Sequence, residues 1–171
     1  MKDSFEARMP IDSVTVRTIA DGIAVRDVTP KLLDIILEYV DEIVEVTGNE
    51  TANAILFLLE KHKLVVEGAG AVATAALMHK KIDVKNSKVC AIVSGGNIDV
   101  TMLSLIIEKG LVKSNRKMNL IVTLMDKPGT LMHLTEVFTK SSANIVQIDY
   151  DRKSVKLEFG EAHVTIALET K

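Results

Sequence analysis

The sequence is poor in residues that cross-link, stack or stiffen a chain: 171 residues include one cysteine, no tryptophan, two tyrosines, four phenylalanines and three prolines. A lone cysteine excludes an internal disulfide and any multi-cysteine metal site. It lies in the apolar run Val89-Cys90-Ala91-Ile92-Val93 with no adjacent cation to activate it, which predicts an inert core thiol in a reducing cytoplasm. Few aromatics, a formal net charge of −2 and a pI near 6.1 leave no basic, base-stacking surface, so nucleic acid is excluded as a partner. Mean hydropathy is high at +0.23, yet no apolar run reaches the roughly 18 residues of a membrane span, so no membrane partner is expected. Residues 1–10 lack the apolar core of a secretory signal, and their acidic residues do not suit a transit peptide. His62, His79, His133 and His163 are scattered, with no second ligand at metal spacing, which predicts no metal site.

What is present is apolar periodicity. Thr29-Pro30 reads as a helix N-cap with proline at the first helical position, followed by the stripe Leu32, Leu33, Ile36, Leu37 and Val40. Asp41 to Val46 alternates like a short strand. Thr47 and Glu50 then have capping-box spacing before a helix striped by Ala54, Ile55, Leu58 and Leu59, fraying near Lys61-His62-Lys63. Residues 67–79 are rich in Ala and Gly, so a helix there must press against neighbouring backbone. Lys88 to Val93 reads as a strand buried on both faces of a parallel sheet, and Ser94-Gly95-Gly96-Asn97 turns from it into a helix that Gly110 would close.

After the polar stretch 113–117, read as a linker, the pattern changes. Leu120–Met125 is a strand, Lys127-Pro128-Gly129 a turn, Leu131 to Phe138 a helix, Ile145–Tyr150 a strand, and Ala162 to Leu168 a third strand alternating cleanly. This β-α-β-β order is a ferredoxin-like unit short of one helix and one strand. In the usual strand order the first strand is then an open edge, which predicts pairing with another chain, disorder or aggregation.

The residues that could carry chemistry lie at turns. Ser94-Gly95-Gly96-Asn97 follows a strand and precedes a helix, where open α/β sheets bind ligands; taken alone it is equally a tight turn with Asn97 as N-cap. It is neither G-x-G-x-x-G nor a Walker loop. Glu67 precedes the small-residue helix and by itself reads as a capping carboxylate. Asp21-Gly22 by itself reads as a turn with glycine at positive φ.

In this order, Thr18-Ile19-Ala20-Asp21-Gly22, the capping box leading into Ala54-Ile55-Leu56-Phe57-Leu58-Leu59-Glu60, Glu67-Gly68-Ala69-Gly70-Ala71 and Ser94-Gly95-Gly96-Asn97-Ile98-Asp99 resemble the threonine dehydratase (threonine ammonia-lyase) family. These are pyridoxal-phosphate enzymes of the tryptophan-synthase β type. The resemblance covers nearly the whole chain but only the C-terminal part of the family's sequence. It implies an α/β fold: residues 1–112 as a three-layer, parallel-sheet remnant of the fold type II catalytic domain, 113–117 as linker, and 118–171 as a truncated ferredoxin-like ACT regulatory unit.

Roles follow by resemblance. Ser94 matches the hydroxyl that hydrogen-bonds the pyridine nitrogen and keeps it unprotonated. Gly22 matches a backbone position beside the ring, Glu67 an acidic residue near it, and Gly95, Gly96 and Asn97 the turn that carries Ser94. Asp126, Gly129, Thr130, Asn144 and Ile145 match effector-binding positions of the ACT unit, for an amino acid such as isoleucine or a nucleotide. The substrate would be a small amino acid, L-threonine with serine second, and the assembly a homo-oligomer. The family's Schiff-base lysine lies in a Ser-x-Lys-x-Arg-Gly-like context upstream and is absent here; Lys88 after Asn86-Ser87 lacks the Arg-Gly. The chain by itself is therefore expected to be inactive. The alternatives are a regulatory module for effector sensing and oligomerisation, and a structural remnant that associates with a complementary chain.

Overall fold

The computed structural model describes residues 1–170, and these fall into two compact units that divide between Ile106 and Ile107. The first unit is built from helices. α1 (Lys2–Ala7), a 3₁₀ turn at Asp21–Ile23, α2 (Pro30–Tyr39), α3 (Gly48–Phe57), which widens into a π turn at Leu58–His62, and α4 (Gly68–Met78) follow one another, and α5 (Val100–Lys113) begins there. Pro30 opens α2 as expected, although the Thr29 side chain makes no capping bond. The capping box of α3 is complete: Glu50 N–H donates to Thr47 Oγ1 at 3.2 Å and Thr47 N–H to Glu50 Oε2 at 2.7 Å.

The core of this unit is Ala54, Ile55, Leu58, Val66, Ala71, Ala75 and Ile106. Small residues on α4 let backbone come close, as their composition predicts. A Cβ on Gly68 would lie 2.0 Å from the carbonyl oxygen of Ile19, and one on Gly70 would lie 1.4 Å from that of Ser94. The first turn of α4 is thus wedged between the 18–21 segment and the 94–97 turn.

Several expectations need correction. Residues 41–46 and 88–93 join no ladder among the described residues, and an extended segment makes ladder bonds only with a second strand beside it. Val89, Ile92 and Val93 are accordingly exposed, and so is Cys90, which is not a core thiol. Asp99, not Asn97, caps α5: its Oδ1 accepts from Met102 N–H at 3.0 Å. Gly110 lies inside α5, and Asn115 takes the left-handed position (φ 58°) that ends the helix, with Arg116 N–H bonding Leu111 O at 2.9 Å.

The second unit has the order read from the sequence: β1 (Lys117–Met125), α6 (Thr130–Lys140), β2 (Asn144–Asp151) and β3 (Glu161–Glu169). The sheet is antiparallel in the order β1-β3-β2, with Leu120 opposite Ile166, Val122 opposite Val164 and Tyr150 opposite Val164. The even-numbered residues of β3 face α6 and, with Phe138, form the core. β1 is an edge among the described residues, as strand order predicts. The other edge, β2, carries an irregularity between Ile145 and Gln147.

Candidate functional site

The sequence-predicted residues of the first unit converge on the N-terminus of α4. Glu67 is the N-cap residue of α4, but its carboxylate makes no bond to that helix; Oε2 instead accepts from Asn97 N–H at 3.1 Å. Glu67 N–H in turn donates to Gly95 O at 3.3 Å. Gly95 has φ +70°, which strains other residues, and a Cβ there would fall 2.2 Å from Glu67 Oε1, so the carboxylate would have to move to admit a side chain. A Cβ on Gly96 would be 3.0 Å from Val65 O.

Gly22 is not at positive φ; it lies in the 3₁₀ turn and its N–H bonds Asp21 Oδ1 at 2.9 Å. Space is what constrains it. A Cβ at this position would meet Ala69 Cβ at 3.1 Å and Glu67 Oε1 at 3.6 Å.

A pocket of about 150 Å³ opens beside these groups, lined by residues that include Thr18, Asp21, Glu67, Asn97 and Asp99 and by no lysine or arginine. Ser94 stands outside that lining, exposed, with its hydroxyl unbonded among the described residues and thus available to a ligand. The arrangement suits one edge of a heteroaromatic ring: a free hydroxyl on a turn whose backbone can come close. It does not suit a phosphate, because the lining contributes carboxylates and no cation.

Sequence reasoning missed a cluster nearby. Lys81 Nζ meets Glu50 Oε1 at 2.9 Å, and His79 Nδ1 approaches the same oxygen at 4.0 Å while its Nε2 is buried without a partner. The Thr47 backbone N–H, then Lys81, hold the Glu50 carboxyl at about 2. Glu50 was legible as a capping residue, but its long-range partner Lys81 carried no signal. Lys81 also lines a larger pocket of about 660 Å³ with Thr18, Val46, Thr47 and Val72.

In the second unit, Gly129 (φ 90°) opens α6, and Thr130 Oγ1 donates to Lys127 O at 3.0 Å. Asp126 accepts from Tyr150 Oη at 3.0 Å and pairs with Arg152 Nε at 3.1 Å, and the Arg152 guanidinium lies 5.4 Å from the Tyr150 ring centroid. Loss of water around the phenol, then the bond to Asp126, push the Tyr150 hydroxyl above its ordinary value. Tyr150 and Arg152 were missed, although their spacing of two at a strand end was a signal.

Asn144 and Ile145 are not brought to this group. Asn144 pairs with Glu169, as does Lys117, whereas Asp126 follows Met125, which pairs with Glu161. The two sets therefore lie at opposite ends of the sheet, on the order of 25 Å apart at ~3.3 Å per residue.

Comparison with known proteins decides the family. The family model described as pyridoxal-phosphate dependent enzyme matches residues 1–95, more than half of the chain. This chain belongs to that family. The L-threonine ammonia-lyase of Thermotoga maritima is 46% identical over 153 residues, covering 90% of this chain and 38% of the relative. That of Geobacter sulfurreducens is 46% identical over 158 residues, covering 92% and 39%. Both alignments are long enough to reach into the second unit. The chain spans about two fifths of the length of these curated relatives.

Solved structures of similar fold include the processed form of threonine deaminase isoform 2 from Solanum lycopersicum, with TM-score 0.55 and 30% identity over 63% of this chain and 32% of that one. Maize serine racemase has TM-score 0.54 and 29% identity over 64% and 36%. The first unit is therefore part of the fold type II architecture of pyridoxal-phosphate dependent enzymes, and members of this fold carry out both deamination and racemisation.

Proposed function

We propose that this chain is part of an L-threonine ammonia-lyase, which converts L-threonine to 2-oxobutanoate and ammonia, with serine as a secondary substrate. The observation that carries this reading is 46% identity to an L-threonine ammonia-lyase sustained over 153 residues, 90% of this chain. Pyridoxal phosphate, when bound, supplies an electron sink for bond cleavage at the amino-acid Cα.

The chain's own residues form the wall at the ring nitrogen. With the cofactor bound, Ser94 Oγ would donate a hydrogen bond to that nitrogen and favour its unprotonated form, Gly22, Gly95 and Gly96 would let backbone come close to the ring, and Asn97 would anchor the turn. None of the residues matched to the cofactor's surroundings is a lysine, so none of them stands ready to take the Cα proton. The purified chain, supplied with pyridoxal phosphate and L-threonine, should form no 2-oxobutanoate; turnover abolished by replacing a single lysine would contradict this.

A second reading concerns the second unit, as an ACT-type module that binds an amino-acid or nucleotide effector and mediates oligomerisation. The Asp126, Tyr150 and Arg152 cluster beside Gly129 and Thr130 favours it, since it offers both charges of an amino acid's counterpart at one sheet end. Asn144 and Ile145 reach such a site only from a second copy. A thermal shift with isoleucine, valine or AMP is expected; no response to any of them counts against the module.

A further inference from the structure

We propose that Glu67 is a positioning residue whose carboxylate holds the Ser94–Asn97 turn in the conformation that presents the Ser94 hydroxyl. The proposal rests on the reading of Ser94 given above for its purpose, but the hold itself rests on geometry alone. One residue ties the turn at two points: Glu67 N–H donates to Gly95 O at 3.3 Å, and Asn97 N–H donates to Glu67 Oε2 at 3.1 Å. The other carboxylate oxygen fills the space a side chain at Gly95 would need, 2.2 Å from an added Cβ, and the same oxygen lies 3.6 Å from an added Cβ at Gly22. The carboxylate is thus bonded to the 94–97 turn and leaves room beside Gly22 only at ordinary contact distance for an added Cβ.

The competing role, stabilising α4 through its dipole, predicts bonds from the carboxylate to the first N–H groups of that helix, and none is made. A charge-assisted bond of this kind is worth enough to slow amide exchange by about tenfold. The Gly95 contact adds shape: a Cβ there would displace the carboxylate from its present position.

The test uses the full chain, labelled with ¹⁵N, and amide hydrogen exchange without ligand. Glu67→Ala should speed exchange at Asn97 about tenfold while Ala71 to Ala75 in α4 are unchanged, and Glu67→Gln, which keeps an acceptor oxygen, should restore Asn97 to within about threefold of the parent. Unchanged exchange at Asn97 in Glu67→Ala overturns the proposal, and so does a change confined to Gly70 and Ala71, which is the dipole role. If Glu67→Ala does not fold, Glu67→Gln decides: Asn97 protected as in the parent supports the hold, and Asn97 unprotected over an intact α4 overturns it.

Pyridoxal phosphate is then added. It should shift the Ser94 amide in the parent and in Glu67→Gln but not in Glu67→Ala. If it moves no residue of the turn in the parent while Asn97 exchange still depends on Glu67, the hold stands and the assignment of Ser94 falls.

Discussion

The two units reach order by different means. In the second, a complete antiparallel ladder fixes register, and Val164 and Ile166, both fully buried, anchor a core that α6 covers. In the first, no ladder forms among the described residues, and the 94–97 turn is held by close backbone contact at Gly70 and Gly96 and by the Glu67 carboxylate beside Gly95. A ladder tolerates changes in most side chains, because its bonds are backbone bonds. A turn packed through missing Cβ atoms does not, so adding one methyl group should separate the two units.

Five changes sharpen that contrast. The largest effect expected is from Ile166→Ala, which empties a fully buried site and should cost about 4 kcal/mol in denaturant unfolding of the second unit. Next is Gly70→Ala. Within a helix this exchange ordinarily stabilises by about 1 kcal/mol, yet here the new Cβ meets Ser94 O at 1.4 Å, so we expect a loss of about 3 kcal/mol in the first unit. A stabilised Gly70→Ala protein would break the comparison by its sign alone. The same change should displace Ser94, whose carbonyl is the group that must move.

Thr47→Ala should cost about 1 kcal/mol by removing the side-chain half of the capping box. The smallest effect is a pH dependence from Glu50. Its folded value of about 2 lies below the ordinary 4.5, so the native state binds its proton later than the unfolded chain does. The stabilisation is complete above about pH 4.5 and is lost as pH falls toward 2, and an acid titration of unfolding midpoint should lose that slope in Glu50→Gln. Tyr150 has the opposite sense: its raised value favours the native state below about pH 10, and this is lost as pH rises further, a slope that Tyr150→Phe should remove.

The sequence foretold α2 to α6 and the second sheet because their signals are local, but not α1, which lies in a stretch read as irregular. Proline at the start of α2, Thr47 and Glu50 three apart, and alternation from Ala162 to Leu168 each fix structure within a few residues. The small residues of α4 also foretold close backbone contact, though not with which segment. What failed depends on partners distant in the chain. Residues 88–93 have the composition of a buried parallel strand, but a strand exists only where another lies beside it, and Cys90 is exposed for the same reason.

Glu67 shows the limit most clearly. Beside a helix start it reads as a cap, yet its carboxylate bonds Asn97 thirty residues later. Nothing local distinguishes the two. Likewise Asp126 and Gly129 were legible as a turn, whereas the pairing of Asp126 with Tyr150 and Arg152, and the distance of Asn144 from both, follow only from strand order.

The central claim is that this chain carries the wall facing the ring nitrogen of the cofactor and no residue that anchors it covalently. Amide shifts on adding pyridoxal phosphate to the ¹⁵N-labelled chain test it most directly. The account predicts shifts concentrated at Gly22, Glu67 and Ser94 to Asn97, abolished by Ser94→Ala. Shifts centred instead on Thr47, Val72 and Lys81, with the Ser94 turn unmoved, would contradict it.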